Sequence, residues 1–467
     1  MALDETRFAA SCLAELSSVL QKKSIILGCD IDRVASYWDV APTRALALLM
    51  PNNTSEVSEV MRICHKYKQP VVTQGGKTNC VQSANSNPEE IILSTEKLNQ
   101  IESIDIVNAV ASVEAGVVLQ TLQKACLEKD MLFPLDLGSR GSCTIGGNVS
   151  TNAGGISVLR YGMMRDLVLG LEAVLSDGTI VSSMNQMLKN NSAYDVKQLF
   201  IGSEGTLGVV TRAVVKLVPK PLSCQTVLIG VVNFSDVIEI LNETRRRLAG
   251  ILSAFEVMWG PYFQAVTEDG GHSSPISRGH GYYVLLEAEG SDPERDDQLF
   301  QKLLEQLYLR GAIEDAVVAQ SEADRIGLWQ IREDFGVILE DTPVFLYDVS
   351  LPISSMEEYV DLTIKAVKEK WSLSEVYALG HIADGNIHFF VRPNAGPATF
   401  SLHQTCDALM YKALKKYHGS ISAEHGIGIE KKQWLSQSRS ETEISVMKAL
   451  KHTLDPEKLL NPGRVFD

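Results

Sequence analysis

The chain has 467 residues, of which 45% are hydrophobic and 22% charged, with a formal net charge of −15. This length allows two to three domains, and the composition excludes a disordered or fibrous chain. The acidic balance argues against nucleic-acid binding through the bulk surface, yet a few local cations can still dominate one cleft that receives a small anion.

The N-terminus, MALDETRFAASCLAEL, carries Asp4, Glu5 and Glu15 and lacks the apolar core of a signal peptide. No run approaches the roughly 18 apolar residues of a membrane helix. A cytoplasmic or matrix location is expected, with no membrane span and no nucleic-acid partner. The eight cysteines include no CxxC pair and read as reduced thiols.

Residues 3–23 read as an amphipathic helix. Residues 55–68 read as a second, because Val57, Val60, Met61 and Cys64 fall at i, i+3, i+4 and i+7, with Asn53 and Thr54 as cap candidates. PVVT (70–73), IILST (91–95) and AVASVEAG (109–116) read as strands, and Leu119, Leu122 and Cys126 mark a helix. This alternation predicts a mixed α/β region up to about residue 220, where the prolines of VPKPLS (218–223) suggest a boundary. Beyond it, YYVLLEAEG (282–290) and VFLYDVSLP (344–352) are strands, and 295–310 and 355–370 are helices. A last helix is expected near 441–453.

Three glycine-rich segments stand in the first half. Gln74-Gly75-Gly76-Lys77-Thr78-Asn79 contains GKT, but Val71 occupies the place of the earlier glycine that a P-loop needs. No GxGxxG follows a strand, so an NAD site of the Rossmann type has no support. The stretch Gly138–Gly155 holds six glycines among Ser, Thr and Asn, and Gly202-Ser203-Glu204-Gly205-Thr206-Leu207-Gly208 follows. Such segments bring backbone N–H groups onto a diphosphate, or else form irregular surface loops; their recurrence favours a nucleotide cradle built from loops.

In Gly380-His381-Ile382-Ala383-Asp384-Gly385-Asn386-Ile387-His388, Asp384-Gly385 suits a two-residue hairpin turn. Counting outward pairs 383 with 386 and sets His381 opposite His388, where two imidazoles can share a divalent ion. A hairpin with two unrelated polar residues is the plainer alternative. Ser422-Ala423-Glu424-His425-Gly426 adds a carboxylate and a histidine in a tight glycine context.

TIGGNVSTNAGG (144–155), RYG (160–162) and IGSEGTLGVVT (201–211) resemble the FAD-binding domain of the vanillyl-alcohol-oxidase type. From about residue 40 onward the chain is similar to the branch containing D-2-hydroxyglutarate dehydrogenase, D-lactate dehydrogenase and the glycolate oxidase flavin subunit. The resemblance implies an α+β fold: an N-terminal helical segment (1–40), a two-subdomain FAD-binding domain (41–222), a substrate or cap domain with an antiparallel sheet (223–420), and a C-terminal segment (421–467) that returns to the FAD domain. It implies non-covalent FAD near Gly75, Gly76, Lys77, Thr78, Asn79, Leu137, Gly138, Ser142, Gly146, Gly147, Asn148, Thr151, Asn152, Gly154, Gly155, Gly205, Val209, Val210 and Asn461. Lys77 replaces the family's Asn, and Gln82-Ser83 stand where it shows two glycines.

The same resemblance implies a divalent metal, zinc before manganese or cobalt, on His381, His388 and Glu424, with His425 as catalytic base. An alcohol of pKa about 16 exceeds a histidine near 6.5 by about nine units, or roughly 12 kcal/mol. A zinc-type ion lowers bound water to about 7 and so closes most of such a gap.

Arg332 matches the carboxylate-binding arginine, and Asn386 lies in the substrate site. Gly336, Leu346 and Phe390 replace the Thr, Lys and Asn of D-2-hydroxyglutarate dehydrogenase. The expected reaction is therefore dehydrogenation of a D-2-hydroxy acid, a monocarboxylate such as D-lactate, with D-2-hydroxyglutarate as the alternative. Electrons pass to an electron-transfer flavoprotein, a quinone or a cytochrome, and a homodimer is left open. A non-redox flavoprotein and a flavin-free partner subunit are the competing classes.

Overall fold

The computed structural model describes residues 2–268, 271–340 and 343–466. The chain divides into two compact units. One runs up to Gly155 and adds Gly162–Lys220 and the segment from Glu424; the other comprises Ile156–Tyr161 and Pro221–Ala423. Among the described residues no helix is long and apolar enough to cross a membrane.

The first unit holds a four-stranded sheet in the order Ile25–Leu27, Ala47–Leu49, Ile91–Ser94, Val71–Gln74. The last three strands run parallel, and Ala47–Leu49 and Ile91–Ser94 are buried throughout, as continuous apolar runs require. The helix Thr54–Tyr67 starts where Asn53 accepts from the Glu56 N–H at 2.9 Å, and Val57, Val60, Met61 and Cys64 form its buried stripe. The helix Ala2–Val19 ends before residue 23, and a 3₁₀ turn, Lys22–Ser24, takes up the rest of the expected length. A second, antiparallel sheet orders Ile101–Asp105, Val110–Glu114, Val209–Lys216, Val168–Val174 and Ile180–Ser183. Within the glycine-rich stretch, expected to be loops, Ile145–Thr151 is helical, because Thr144 accepts from the Gly147 N–H and caps it.

The second unit is built on a seven-stranded antiparallel sheet. Its order is Asp315–Val318, Ser223–Val231, Tyr282–Gly290, Leu252–Trp259, Glu375–His381, Asn386–Arg392, Phe345–Ser350. The helices Phe234–Arg247, Pro293–Leu309 and Met356–Lys370 bury one stripe each.

The hairpin at Asp384-Gly385 differs from expectation. Leu379, not His381, faces His388 in the ladder. A two-residue turn of the expected kind needs positive φ at both positions, but of this pair only Gly385 has it, at 93°. Ile382–Asp384 winds instead into a 3₁₀ turn that buries Ile382, and Arg245 donates to the Ala383 carbonyl at 2.6 Å. The register moves by two residues, so every side chain keeps its face.

Candidate active site

Because side chains two apart share a face, His381 still lies diagonally across from His388. The ring centroids are 5.3 Å apart at 85°, and the pair offers ligand nitrogens within 4.8 Å of one another. Each ring has a carboxylate from the adjoining strand. Glu256 is paired with His381 in the ladder and meets its Nδ1 at 2.6 Å; Asp348 is paired with His388, 3.6 Å from Nδ1. A carboxylate bound at one ring nitrogen, as Glu256 supplies to His381, is the usual outer support of a metal-binding histidine. The donor set therefore fits a divalent ion.

Glu256 also receives Arg332, whose Nε and Nη2 both lie 2.8 Å from Oε2. Burial alone would push this carboxyl up, but the charges of His381 and Arg332 hold it at about 2. Arg332 is thus a buried residue on the helix Glu322–Glu333. Among the described residues nothing accepts from its Nη1, which leaves one edge of the guanidinium for a carboxylate.

Asn386 commits Nδ2 to Asp348 and the Val349 carbonyl, at 2.8 and 2.9 Å; its Oδ1 is buried with no partner among the described residues. Leu346 pairs with Phe390 in register, on the face that carries Asp348 and His388, and Phe335 packs on Phe390 with ring centroids 5.0 Å apart. Gly336 opens the short helix Gly336–Leu339 after Phe335.

In the first unit, the strand Val71–Gln74 leads into the Gly75-Gly76 turn. Among the described residues no acceptor takes the backbone N–H groups of Gly75, Gly76, Lys77, Thr78 or Asn79. A row of unpaired donors on half-buried backbone suits a diphosphate. Gly76 lies so close to Ser142 and Cys143 that a β-carbon would collide with the Ser142 carbonyl, so the two glycine-rich segments can stack only with glycine there.

Gly138 faces open space. Lys77 sends Nζ to the Val34 carbonyl at 3.0 Å. Other expected cofactor contacts have structural partners. Gly146 donates to the Ala115 carbonyl at 2.7 Å, Thr151 to the Gly147 carbonyl at 3.1 Å, and Asn152 accepts from the Arg165 N–H at 2.8 Å. Val209 and Val210 are buried strand residues. Asn461 accepts from the Thr73 N–H at 2.9 Å and donates to the Glu204 carbonyl at 2.7 Å.

The C-terminal segment is held by the same unit. Gly155 donates its N–H to Glu424 Oε1 at 2.6 Å, and Asn79 Nδ2 donates to the His425 carbonyl at 3.1 Å. Glu204, buried, accepts from the N–H groups of Ile427 and Gly428 at 2.7 and 2.9 Å. Burial pushes its carboxyl upward against the pull of those donors and of Ser83.

Sequence reasoning missed Glu256, Asp348 and Glu204. A charge inside the apolar runs Phe255-Glu256-Val257 and Tyr347-Asp348-Val349 was the available signal, since unpaired buried charge is costly.

Comparison with known proteins adds to this geometry. Residues 220–465 match the model "FAD linked oxidases, C-terminal domain", and residues 45–183 match "FAD binding domain". The mitochondrial D-2-hydroxyglutarate dehydrogenase of Bos taurus is 40% identical over 421 residues, 90% of this chain and 76% of that one. The D-2-hydroxyglutarate dehydrogenase of Xanthomonas citri pv. viticola is 36% identical over 94% of this chain and 93% of its own. A mitochondrial Schizosaccharomyces pombe protein, named provisionally as a D-lactate dehydrogenase, is 37% identical over 89% and 80%. Among solved structures, p-cresol methylhydroxylase with substrate bound gives a TM-score of 0.79 at 16% identity, over 98% of this chain and 97% of that one. Alkyldihydroxyacetonephosphate synthase gives 0.73 at 17%, over 97% and 84%. At such identities these two speak for the fold alone.

Proposed function

The chain belongs to the family of FAD-linked oxidases, and from that premise we propose that it dehydrogenates a D-2-hydroxy acid carrying one carboxylate and an apolar side chain. It is a FAD-dependent 2-hydroxyacid dehydrogenase with the α+β, vanillyl-alcohol-oxidase-type architecture. The observation that carries the narrower reading is the Leu346–Phe390 pair, set beside His388 and Asp348 on one sheet face. A second substrate carboxylate against Leu and Phe would be desolvated without a partner.

Arg332 holds the single carboxylate through Nη1, and His425 takes the hydroxyl proton. His381 and His388, with Glu424 as third ligand, hold a divalent ion, zinc before manganese or cobalt. When bound, that ion supplies Lewis acidity to the substrate hydroxyl, and FAD supplies the hydride acceptor. The apolar wall of Phe335, Leu346 and Phe390 excludes water from the substrate's side chain. Electrons leave to an electron-transfer flavoprotein, a quinone or a cytochrome. Of the locations left open by the sequence, the names of the mitochondrial relatives favour the matrix.

The test is anaerobic mixing of the yellow protein with a panel of D- and L-2-hydroxy acids. D-lactate and longer apolar D acids should bleach the flavin faster than D-2-hydroxyglutarate, and chelator treatment should abolish bleaching while the FAD stays bound. Faster bleaching by the dicarboxylate would overturn the single-carboxylate reading, and colourless protein that takes up no FAD would overturn the whole assignment.

A second expectation follows from the same wall. The double substitution Leu346→Lys with Phe390→Asn should shift the ratio of kcat/KM toward the dicarboxylate by at least about tenfold, because it gives the extra charge polar partners. A ratio unchanged in the doubly substituted chain would place the distal end of the substrate elsewhere.

A further inference from the structure

Gln82 and Ser83 occupy positions where the resembling family has glycines, and Gln82 adopts φ 59°, a conformation that glycine takes without strain. Their side chains reach across to the segment after Glu424. Gln82 Nε2 donates to Glu430 Oε1 at 2.7 Å, and Ser83 Oγ donates to the buried carboxylate of Glu204. That carboxylate in turn holds the N–H groups of Ile427 and Gly428. Asn79 shapes the loop by accepting from Val81 N–H at 2.9 Å and Ser83 N–H at 3.2 Å, while its Nδ2 holds the His425 carbonyl. Ile429 N–H closes the set on the Val81 carbonyl at 3.0 Å. Gly426, at φ 87°, lies against Glu204 so closely that any β-carbon would meet the carboxylate.

We propose that loop 79–83 and Glu204 form a clasp whose purpose is to position His425, with Gln82, Ser83 and Glu204 as positioning residues. The proposal rests on the reading of His425 as proton acceptor. The backbone is tied at that residue's own carbonyl and directly after it, at Ile427, Gly428 and Ile429, so the direction in which the imidazole leaves the chain is set by the clasp. Two glycines at 82 and 83 would relieve the strain at Gln82 but remove two of the ties. Misplacing a reacting group by about 1 Å can slow a reaction by about a hundredfold. Partial loosening of one tie should therefore appear in kcat and not in substrate affinity.

The test is a swap of the outer tie. Gln82→Glu sets two carboxylates together, Glu430→Gln removes the acceptor charge, and the double substitution restores a hydrogen bond in the opposite sense. The Gln82→Glu chain should lose about tenfold in the rate of anaerobic flavin reduction, with KM within about twofold and FAD content unchanged; the double substitution should regain most of the rate. Hydrogen exchange at the amides of Ile427 and Gly428 should quicken in Gln82→Glu and slow again in the double substitution. A rate that does not change in Gln82→Glu, or that falls and is not regained in the double substitution, overturns the proposal. If no 2-hydroxy acid reduces even the unsubstituted chain, the reading of the reaction fails on its own, and the exchange measurement still decides whether the clasp holds the segment.

Discussion

A Glu256→Gln chain should keep its FAD yet lose about two orders of magnitude in kcat/KM and bind the proposed divalent ion, measured with added zinc, ten- to a hundredfold more weakly. Glu256 accepts from the Arg332 guanidinium on one oxygen and from His381 Nδ1 on the other. A glutamine offers one acceptor oxygen and one amide NH2 donor, so it satisfies one of these groups while presenting a donor to the second. If it keeps Arg332, His381 loses the bond that fixes its orientation; if it keeps His381, a buried guanidinium loses its counter-charge. Removing one partner of such a buried pair costs about 3–5 kcal/mol, so thermal unfolding should also begin earlier. Steady-state kinetics, metal analysis and a melting curve check these three effects together. Normal metal content with unchanged kinetics would show that Glu256 supports neither group.

Substitution of His425 by alanine should slow flavin reduction by about 10²- to 10⁴-fold while FAD and metal remain. The neighbouring backbone is anchored through its peptide groups, including the His425 carbonyl itself, so removal of the imidazole leaves those ties in place. The measurement is the rate of flavin bleaching under single-turnover conditions, with absorbance of bound FAD as the control. Reduction at the original rate would remove His425 from the chemistry and make another group the proton acceptor. On the proposed reading, in which His425 and a divalent ion act on the same hydroxyl, stripping the metal from the alanine variant should add little further loss.

Local pattern made much of the fold legible. The helix Thr54–Tyr67 shows in the spacing of Val57, Val60, Met61 and Cys64, and the strand Tyr282–Gly290 in the aromatic and aliphatic run that opens it, Tyr282-Tyr283-Val284-Leu285-Leu286. The glycine-rich stretch around residue 145 was harder to read. Its composition speaks of loops, yet Thr144 supplies a cap, and the turns after it become helical. The histidine hairpin shows how far a motif carries. Asp384-Gly385 marked the turn, and the alternation of side chains kept both histidines on one face, but the register shifted because Ile382 is drawn into the core.

By itself, the sequence pointed to residues with the chemistry for the proposed site: two imidazoles beside a turn, a carboxylate beside a histidine, an arginine on a helix, and glycines suited to backbone approach to an anion. Only the tertiary structure decided what those residues lean on. Glu256 meets His381 across 125 positions of chain, and Ser83 meets Glu204 across 121. Spacing along the chain encodes periodicities of a few residues, whereas partners this distant are set by which strands lie side by side and which buried charges must be satisfied. That is a property of the packed whole, and no local pattern records it.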